Sequence, residues 1–299
     1  MASVEHQRAV ELFKATIPGA DAPVPEWRAL FEAMCGSFAL PGDAMIDAVD
    51  ADGVPCLKVA VPGADPAKLV IHYHSGGYMM GSAHAYREFA CRLSEATGAT
   101  VLLPDYRLAP EHPFPAAADD ALTAYNWAAR HWQPELIIVS GDSAGGGLCL
   151  ATLMAVRDAG GPIPAAGLAI SPLLDLAGEG ESCETNRHAD PLIDQNMIVT
   201  MGKVYIGEID PHEHPAASPL WGKHHGLPPL FLTVSNSEVL RDDVVRLAAS
   251  VKGAGGDVAT SYSEGMIHIW TIFPFLPEAA TSMAEIGSFA RQRLAQARA

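Results

Sequence analysis

The chain has 299 residues, of which 49% are hydrophobic and 18% are charged. Such a chain can bury enough apolar surface to offset the conformational entropy lost on folding, which excludes an intrinsically disordered protein. Lysine and arginine number 19 against 35 aspartates and glutamates, so the net charge is −16. A surface this negative repels phosphate backbones and anionic lipids, and we therefore expect neither a nucleic-acid partner nor a membrane partner.

The chain begins with two amphipathic stretches, at 4–17 and 25–38, which we predict to be helices. Acidic residues interrupt the first stretch, so it lacks the unbroken apolar core of a secretory signal peptide. No later segment is apolar for long enough to span a bilayer. The five cysteines are an odd number and form no C-x-x-C pair, which argues against a disulfide framework and a zinc cage. We expect a cytoplasmic protein with buried, reduced thiols.

Beyond these stretches, short β-branched or apolar runs alternate with segments of helical length. Several runs are apolar without interruption, as strands buried on both faces are. The alternation predicts the α/β class, with a doubly wound, mostly parallel sheet and a β-rich start. The predicted strands are 45–49, 56–61, 69–73, 100–103, 136–139, 167–170, 230–234 and 258–262, and the predicted helices are 83–97, 116–131, 144–158, 239–253 and 277–297.

One connection, between the strand near Ile170 and the strand near Leu230, is far longer than an ordinary crossover. We interpret residues of about 175–225 as an insertion with one helix, 194–206, that covers one end of the sheet together with residues of about 1–40. The chain is thus predicted to form a single domain, 1–299, with a helical cap. Four histidines of the insertion are interpreted as solvated loop residues and not as metal ligands, because no cysteine or ordered carboxylate pattern accompanies them: His212, His214, His224 and His225.

The predicted strand 136–139 runs directly into the sequence SGDSAG at 140–145, and a predicted helix follows. Glycines two positions before and after a serine let the backbone turn sharply and hold the hydroxyl in the open at the end of the strand. This context is typical of a nucleophile elbow. Ser143 is therefore the candidate nucleophile.

A second glycine-rich turn, HSGGYMMGS at 74–82, follows the predicted strand 69–73. A glycine pair after a strand exposes consecutive backbone N–H groups, which can stabilise an oxyanion together with the N–H of the residue after the nucleophile. By itself the pair indicates no more than a turn, but the elbow favours the oxyanion site. Gly76, Gly77 and Ala144 are the candidate donors.

A serine nucleophile on such an elbow needs an acid and then a histidine from loops after the last strands. Of the 12 histidines, His268 alone follows the last predicted strand. Glu238 lies where the strand 230–234 meets the next helix, and we predict that it is the acid.

Three other carboxylates compete with Glu238 for that role. Asp242 and Asp243 fall in the first helical turn, where a carboxylate interacts with the free N–H groups of its own helix. Asp190 precedes a proline within the insertion, and we interpret it as a turn residue.

These motifs resemble those of the bacterial hormone-sensitive-lipase-like esterases of the α/β-hydrolase superfamily. The resemblance extends from about residue 40 to the C-terminus, in the family's order, and rests on HSGGY with GS (74–82), DYRLAPE (105–111), GDSAGG (141–146), SPL with PP (218–229), EVLRDD (238–243) and GMIH (265–268). It implies the α/β-hydrolase fold with an eight-stranded sheet and a helical cap, a triad of Ser143, an acid and His268, and no cofactor. Two residues depart from the family pattern: Ser75 replaces a glycine of H-G-G-G, and Glu238 replaces the usual aspartate.

We therefore predict a serine carboxylesterase that acts on small, soluble, short-chain esters through an acyl-enzyme. The predicted pocket walls, each equally compatible with a core position, are Tyr78, Met80, Trp221 and Trp270. A lactone hydrolase with the same triad is the first alternative. The second is a non-catalytic ligand-binding member of the fold, which the complete triad argues against. A homodimer is left open.

Overall fold

The structure is a computed structural model that describes residues 2–19 and 22–296. Its strands are β1 (Met45–Ala51), β2 (Val54–Ala60), β3 (Asp65–Tyr73), β4 (Ala99–Pro104), β5 (Ile137–Asp142), β6 (Ala166–Ile170), β7 (Leu230–Ser235) and β8 (Val258–Ser263). Its α-helices are α1 (Val4–Lys14), α2 (Val24–Gly36), α3 (Arg87–Thr97), α4 (Ala116–His131), α5 (Ala144–Asp158), α6 (Ser182–Thr185), α7 (Gln195–Ile206), α8 (Arg241–Gly253) and α9 (Pro277–Gln296).

All eight strands belong to one sheet, in the order β1-β2-β4-β3-β5-β6-β7-β8. β2 pairs antiparallel with both β1 and β4, and the remaining neighbours pair in parallel. The predicted eight-stranded, mostly parallel sheet of the α/β class is confirmed. Parallel pairing brings the carboxyl ends of β3, β5, β6, β7 and β8 to one edge, where ligands of such sheets bind.

Helices cover both faces of the sheet, so the central strands are buried on both sides. One hydrophobic core contains side chains of α4, α5 and α8, and the other contains side chains of α1, α2, α3 and α9. Leu69 and Ile71 of β3 belong to the first core, and Val70 between them belongs to the second. This alternation explains the uninterrupted apolar runs, because every side chain of such a strand meets a layer of helices.

Two helices begin at least two residues later than the sequence predicts. α3 begins at Arg87 and not at 83, because turns precede it: Ala85 N–H donates to Ser82 Oγ (3.0 Å) and Ala83 N–H to Asp105 Oδ1 (2.9 Å). α8 begins at Arg241 and not at 239. The short helix α6 was not predicted, and the predicted end of the last helix at 297 lies outside the described residues.

The five cysteines are free and buried, one in each of α2, β2, α3, α5 and α6: Cys35, Cys56, Cys91, Cys149 and Cys183. Burial raises the pKa of the Cys56, Cys149 and Cys183 thiols to about 12. Among the helices of the described residues, none combines the length and the apolar character that crossing a bilayer requires.

Candidate active site

Ser143 lies at the sharp turn between β5 and α5, with φ 52° and ψ −120°. The two glycines of the motif allow the helix to pack against the strands. A Cβ at Gly141 would lie 2.0 Å from the Gly145 carbonyl oxygen, and a Cβ at Gly145 would lie 1.9 Å from the Tyr73 carbonyl oxygen. Any side chain at either position would force these backbones apart, so glycine is required to form the turn.

Three residues that are far apart in the sequence meet at this edge of the sheet. His268 Nε2 is 2.9 Å from Ser143 Oγ, and His268 Nδ1 is 2.7 Å from Glu238 Oε2. All three are buried, with residue exposures of 3% for His268, 7% for Ser143 and 0% for Glu238. The structure thus brings the predicted nucleophile, base and acid into one hydrogen-bonded series, in the geometry that transfers a proton from serine to histidine.

The other carboxylate oxygen of Glu238 is held by two serines. Oε1 accepts hydrogen bonds from Ser171 Oγ (2.9 Å) and from the Ser235 N–H (2.7 Å). Burial raises the pKa of Glu238, and the hydrogen bond with His268 opposes that rise. Ser171, which the sequence analysis missed, follows the end of β6 in a left-handed conformation (φ 43°) and also accepts the Ile269 N–H at 3.3 Å. The sequence feature that could have identified Ser171 is its position directly after the predicted strand 167–170.

Asp242 and Asp243 lie in the first turn of α8 as predicted, but they do not bind the N–H groups of that helix. Asp242 Oδ2 accepts the Ser182 N–H (2.9 Å), and Asp243 Oδ2 accepts the N–H groups of Leu174 (2.8 Å) and Asp175 (3.0 Å). The two carboxylates therefore hold the segment after β6 against α8. This corrects the expectation that they interact with their own helix.

The glycine pair after β3 lies beside Ser143 in a conformation that favours glycine, with φ 122° at Gly76 and φ 59° at Gly77. Within the described residues, the amides of Gly76, Gly77 and Ala144 have no hydrogen-bond acceptor. Ala144 is the first residue of α5, so its N–H lies at the positive end of that helix. These three donors are thus free to bind an anionic oxygen.

A small cavity of about 50 Å³ lies against Ser143 and His268. Its lining is mostly apolar and comes largely from the two segments that were predicted to form the cap: Phe13, Thr16, Ile17, Trp27, Phe31, Leu192, Ile193, Met197 and Met201. A second cavity of about 380 Å³ shares four of these residues: Ile17, Trp27, Met197 and Met201. We call the cavity at Ser143 the inner cavity and this second one the outer cavity. Few of these lining residues are near the motifs in the sequence, so the sequence analysis did not find them.

Of the four predicted pocket walls, Met80 lines the small cavity and the other three lie elsewhere. Tyr78 is buried and stacks on Tyr205, with ring centroids 3.9 Å apart. Trp270 is a core residue whose Nε1 donates to Ser282 in α9 (3.2 Å). The left-handed conformation of Ile269 (φ 46°) changes the direction of the chain between His268 and Trp270.

Trp221 lines a separate cavity together with residues of α5, and its Nε1 donates to Asp175 Oδ1 (3.1 Å). His224 is also placed differently from the prediction, because it is buried and not solvated. Its Nδ1 lies 2.7 Å from Ser250 Oγ and its Nε2 lies 2.9 Å from the Pro219 carbonyl oxygen. In residues 2–19 and 22–296, no group of three or more His, Cys, Asp or Glu side chains could hold a metal ion.

Comparison with known proteins is consistent with this geometry. A family model described as the alpha/beta hydrolase fold matches residues 70–272. The chain is 40% identical to an acetyl-hydrolase of Streptomyces hygroscopicus over 232 residues, which cover 77% of each protein.

Two crystal structures resemble nearly the whole chain. One is an esterase from the bacterial hormone-sensitive lipase family, with 37% identity and a TM-score of 0.95, covering 98% of this chain and 99% of the other. The other is EstE5 soaked with p-nitrophenyl butyrate, with 37% identity and a TM-score of 0.92, covering 98% of this chain and 100% of the other. The chain therefore belongs to the α/β-hydrolase family, among the bacterial hormone-sensitive-lipase-like esterases, and is a carboxylesterase.

Proposed function

We propose that this carboxylesterase hydrolyses small, short-chain esters through an acyl-enzyme on Ser143. His268 takes the Ser143 proton as Oγ attacks the ester carbonyl, and Glu238 orients the imidazole and stabilises its charged form. The tetrahedral oxyanion binds to the N–H groups of Gly76, Gly77 and Ala144. His268 then gives the proton to the departing alcohol. A water molecule hydrolyses the acyl-enzyme by the same steps.

The observation that carries this proposal is the position of His268 between the two other residues, 2.9 Å from Ser143 Oγ and 2.7 Å from Glu238 Oε2. Only a ring oriented in this way can accept the serine proton on Nε2 while Nδ1–H donates to a carboxylate. The free amides beside Ser143 supply the second requirement, which is stabilisation of the charge that develops on the substrate oxygen.

The preference for short chains is supported by the size of the cavity at Ser143. Its volume of about 50 Å³ is well below that of an ordinary ligand pocket, so it accommodates only a few carbon atoms. The wider outer cavity, at about 380 Å³, offers room for the larger remainder of an ester. We propose that residues of about 1–40 and 175–225 form a cap and set this size limit. The name of the acetyl-hydrolase relative and the butyrate ester soaked into EstE5 agree with small acyl groups.

A series of p-nitrophenyl esters with acyl chains of two to sixteen carbons, assayed with a panel of small lactones, tests the proposal. We expect the highest kcat/KM within the range of about two to eight acyl carbons and toward its short end, because longer chains exceed the inner cavity. The Ser143→Ala variant is expected to lose turnover by at least about a thousandfold while it keeps the thermal unfolding midpoint of the wild type.

Turnover by Ser143→Ala within tenfold of the wild type would contradict the proposal that the reaction proceeds through an acyl-enzyme on Ser143. Faster hydrolysis of emulsified long-chain triglyceride than of butyrate esters would overturn the short-chain preference. A lactone hydrolysed with higher kcat/KM than every open-chain ester would replace the proposed substrate class.

A further inference from the structure

A series of buried polar groups connects the glycine-rich turn to the nucleophile elbow. Ser75 Oγ is 2.5 Å from the Tyr86 hydroxyl oxygen, and the Ser75 N–H donates to the same oxygen at 3.2 Å. The Tyr86 hydroxyl in turn donates to Asp142 Oδ2 at 2.6 Å. Asp142 immediately precedes Ser143, and Ser75 immediately precedes Gly76. Tyr86 is therefore the only side chain between the two segments in this series.

The direction of these hydrogen bonds follows from the number of protons available. Burial and the neighbouring Asp142 raise the pKa of Tyr86, so its phenol keeps its proton. The Tyr86 hydroxyl uses this proton in the hydrogen bond that it donates to Asp142 Oδ2. The Tyr86 oxygen must then accept from both the N–H and the O–H of Ser75, which uses its two lone pairs. The Ser75 hydroxyl is therefore bound to Tyr86 and is not an additional donor to the substrate.

The far end of the series is equally fixed. Asp142 Oδ1 lies 3.2 Å from His72 Nε2, and His72 Nδ1 lies 3.0 Å from Ser140 Oγ. The residues of this network are at most 1% exposed, so each bond lies in a medium where hydrogen bonds are electrostatically strong. A displacement of Asp142 would therefore break its hydrogen bonds with Tyr86 and His72, and these buried groups have no access to water as a replacement partner.

Ser75 occupies the position where the family motif H-G-G-G has a glycine. A side chain is accommodated here because the backbone of Ser75 lies outside the left-handed region, in contrast to Gly76 and Gly77 (φ 122° and 59°). The serine gives this chain a side-chain bond to Tyr86 in addition to the backbone bond.

We propose that Tyr86 and Ser75 are positioning residues for the oxyanion donors of this esterase. Tyr86 holds the turn with Gly76 and Gly77 at a fixed distance from Ala144 and Ser143, and Ser75 strengthens that connection through its hydroxyl. The inference rests on the proposed function, because it concerns the oxyanion that Ser143 generates. Tyr86 lines neither cavity. Ser75 lines the inner cavity, but its hydroxyl is bound to Tyr86, so we expect loss of either hydroxyl to act on transition-state stabilisation more than on substrate affinity.

The test compares Ser75→Ala, Ser75→Gly, Tyr86→Phe and the double variant Ser75→Ala/Tyr86→Phe. Measurements are kcat and KM on p-nitrophenyl butyrate and the inhibition constant of an alkyl trifluoromethyl ketone. Attack of Ser143 Oγ on that ketone carbonyl forms a C–O bond, transfers the serine proton to His268 and leaves an oxyanion at the proposed donors. The inhibitor therefore reports the donor geometry without turnover.

We expect each single variant to lower kcat about tenfold, less than the ~10²–10³ that follows loss of an oxyanion donor, with KM within twofold. Inhibitor affinity is expected to fall by a similar factor. The double variant should lose no more than Tyr86→Phe alone, because Ser75 acts through Tyr86 and the two changes remove one connection.

Tyr125→Phe is the matched control, since Tyr125 is a buried tyrosine whose hydroxyl donates to the Pro162 carbonyl oxygen, away from the site. We expect it to lower the thermal unfolding midpoint as Tyr86→Phe does while kcat and inhibitor affinity stay unchanged. Equal inhibitor affinity in the wild type and all variants would overturn this inference alone, as would additive losses in the double variant. Failure of the ketone to inhibit the wild type would overturn the proposed function itself.

Discussion

Glu238 carries one methylene more than the aspartate usual at its position in the family, and its surroundings accommodate the longer side chain. One carboxylate oxygen binds Ser171 and Ser235, so the other is directed to His268 at 2.7 Å. The carboxylate therefore has a fixed orientation, as orienting the imidazole requires.

We expect Glu238→Gln to lower kcat by about 10⁴, as loss of the acid's charge and of the correct imidazole tautomer does in the worked serine-protease case. Asp242→Asn should leave kcat within a few fold and cost at most about 1 kcal/mol of stability, because the amide oxygen can still accept the Ser182 N–H and only the charge is lost. Kinetics on a butyrate ester and urea unfolding of both variants measure these effects. A thousandfold loss in Asp242→Asn with near-normal Glu238→Gln would contradict the assignment of the acid.

The sequence was sufficient to predict Ser143, Glu238 and His268 as a group because each follows a strand of recognisable pattern, and parallel strands end at the same edge. It was not sufficient for the cavity walls. Trp270 is adjacent to the His268 motif, yet it lies in the core, whereas Met201 lines both cavities from a helix remote in sequence. Adjacency to a motif does not predict which way a large apolar side chain points, and contacts between distant segments leave no local pattern.

Among the elements, the segment between α6 and α7 is connected to the loop that carries Glu238. Asp190 Oδ1 accepts the N–H groups of Leu192 (3.0 Å) and Ile193 (3.1 Å), which agrees with its interpretation as a turn residue. Its Oδ2 also accepts the Val239 N–H at 3.1 Å. Since Leu192 and Ile193 line the inner cavity, one carboxylate joins a cavity wall to the residue after Glu238.

We expect Asp190→Ala to raise KM for butyrate esters several-fold and to destabilise the protein by about 1–3 kcal/mol, because the amides of Leu192 and Val239 are then buried without an acceptor. Asp50→Ala is the matched control, as its exposed carboxylate accepts the Gly53 N–H in the turn between β1 and β2 and lines neither cavity. Steady-state kinetics and urea unfolding report the two effects. An unchanged KM with reduced stability would mean that Asp190 does not position the cavity wall.

Elements whose apolar pattern is continuous were predicted to within a few residues, as α4 and α5 illustrate. Elements whose existence or bounds depend on side chains from other parts of the chain were missed or were given wrong bounds. α6 has four residues, and its Ser182 is bound to Asp242 of α8, so nothing in its own sequence indicates a helix. The late start of α3 has a similar cause, since Asp105 binds the turn that precedes it.

At the scale of the whole molecule, buried carboxyl groups make stability depend on pH. Burial raises the pKa of Asp243 from 3.8 to about 8, although the amides of Leu174 and Asp175 oppose that rise. The folded state then binds a proton more tightly than the unfolded state does. The stabilisation from this group is complete below pH 3.8 and is lost as the pH rises through about 8.

We therefore expect Asp243→Asn, which keeps an acceptor but cannot ionise, to gain stability relative to the wild type as the pH rises. Between about pH 5 and pH 9 the difference in unfolding free energy should change by at least about 1 kcal/mol in favour of the variant. Urea unfolding at the two pH values measures it. A difference that is the same at both values would contradict a raised pKa for Asp243.

The distribution of the five thiols allows the opening of separate regions to be followed by chemical labelling. Buried thiols with a raised pKa react with an alkylating reagent only after the surrounding structure opens. Cys35 and Cys183 lie in α2 and α6, within the two segments that we propose form the cap, whereas Cys56 and Cys149 lie in β2 and in α5, the helix that follows Ser143. The order in which these sites become alkylated would distinguish opening of the entrance to the site from unfolding of the whole chain.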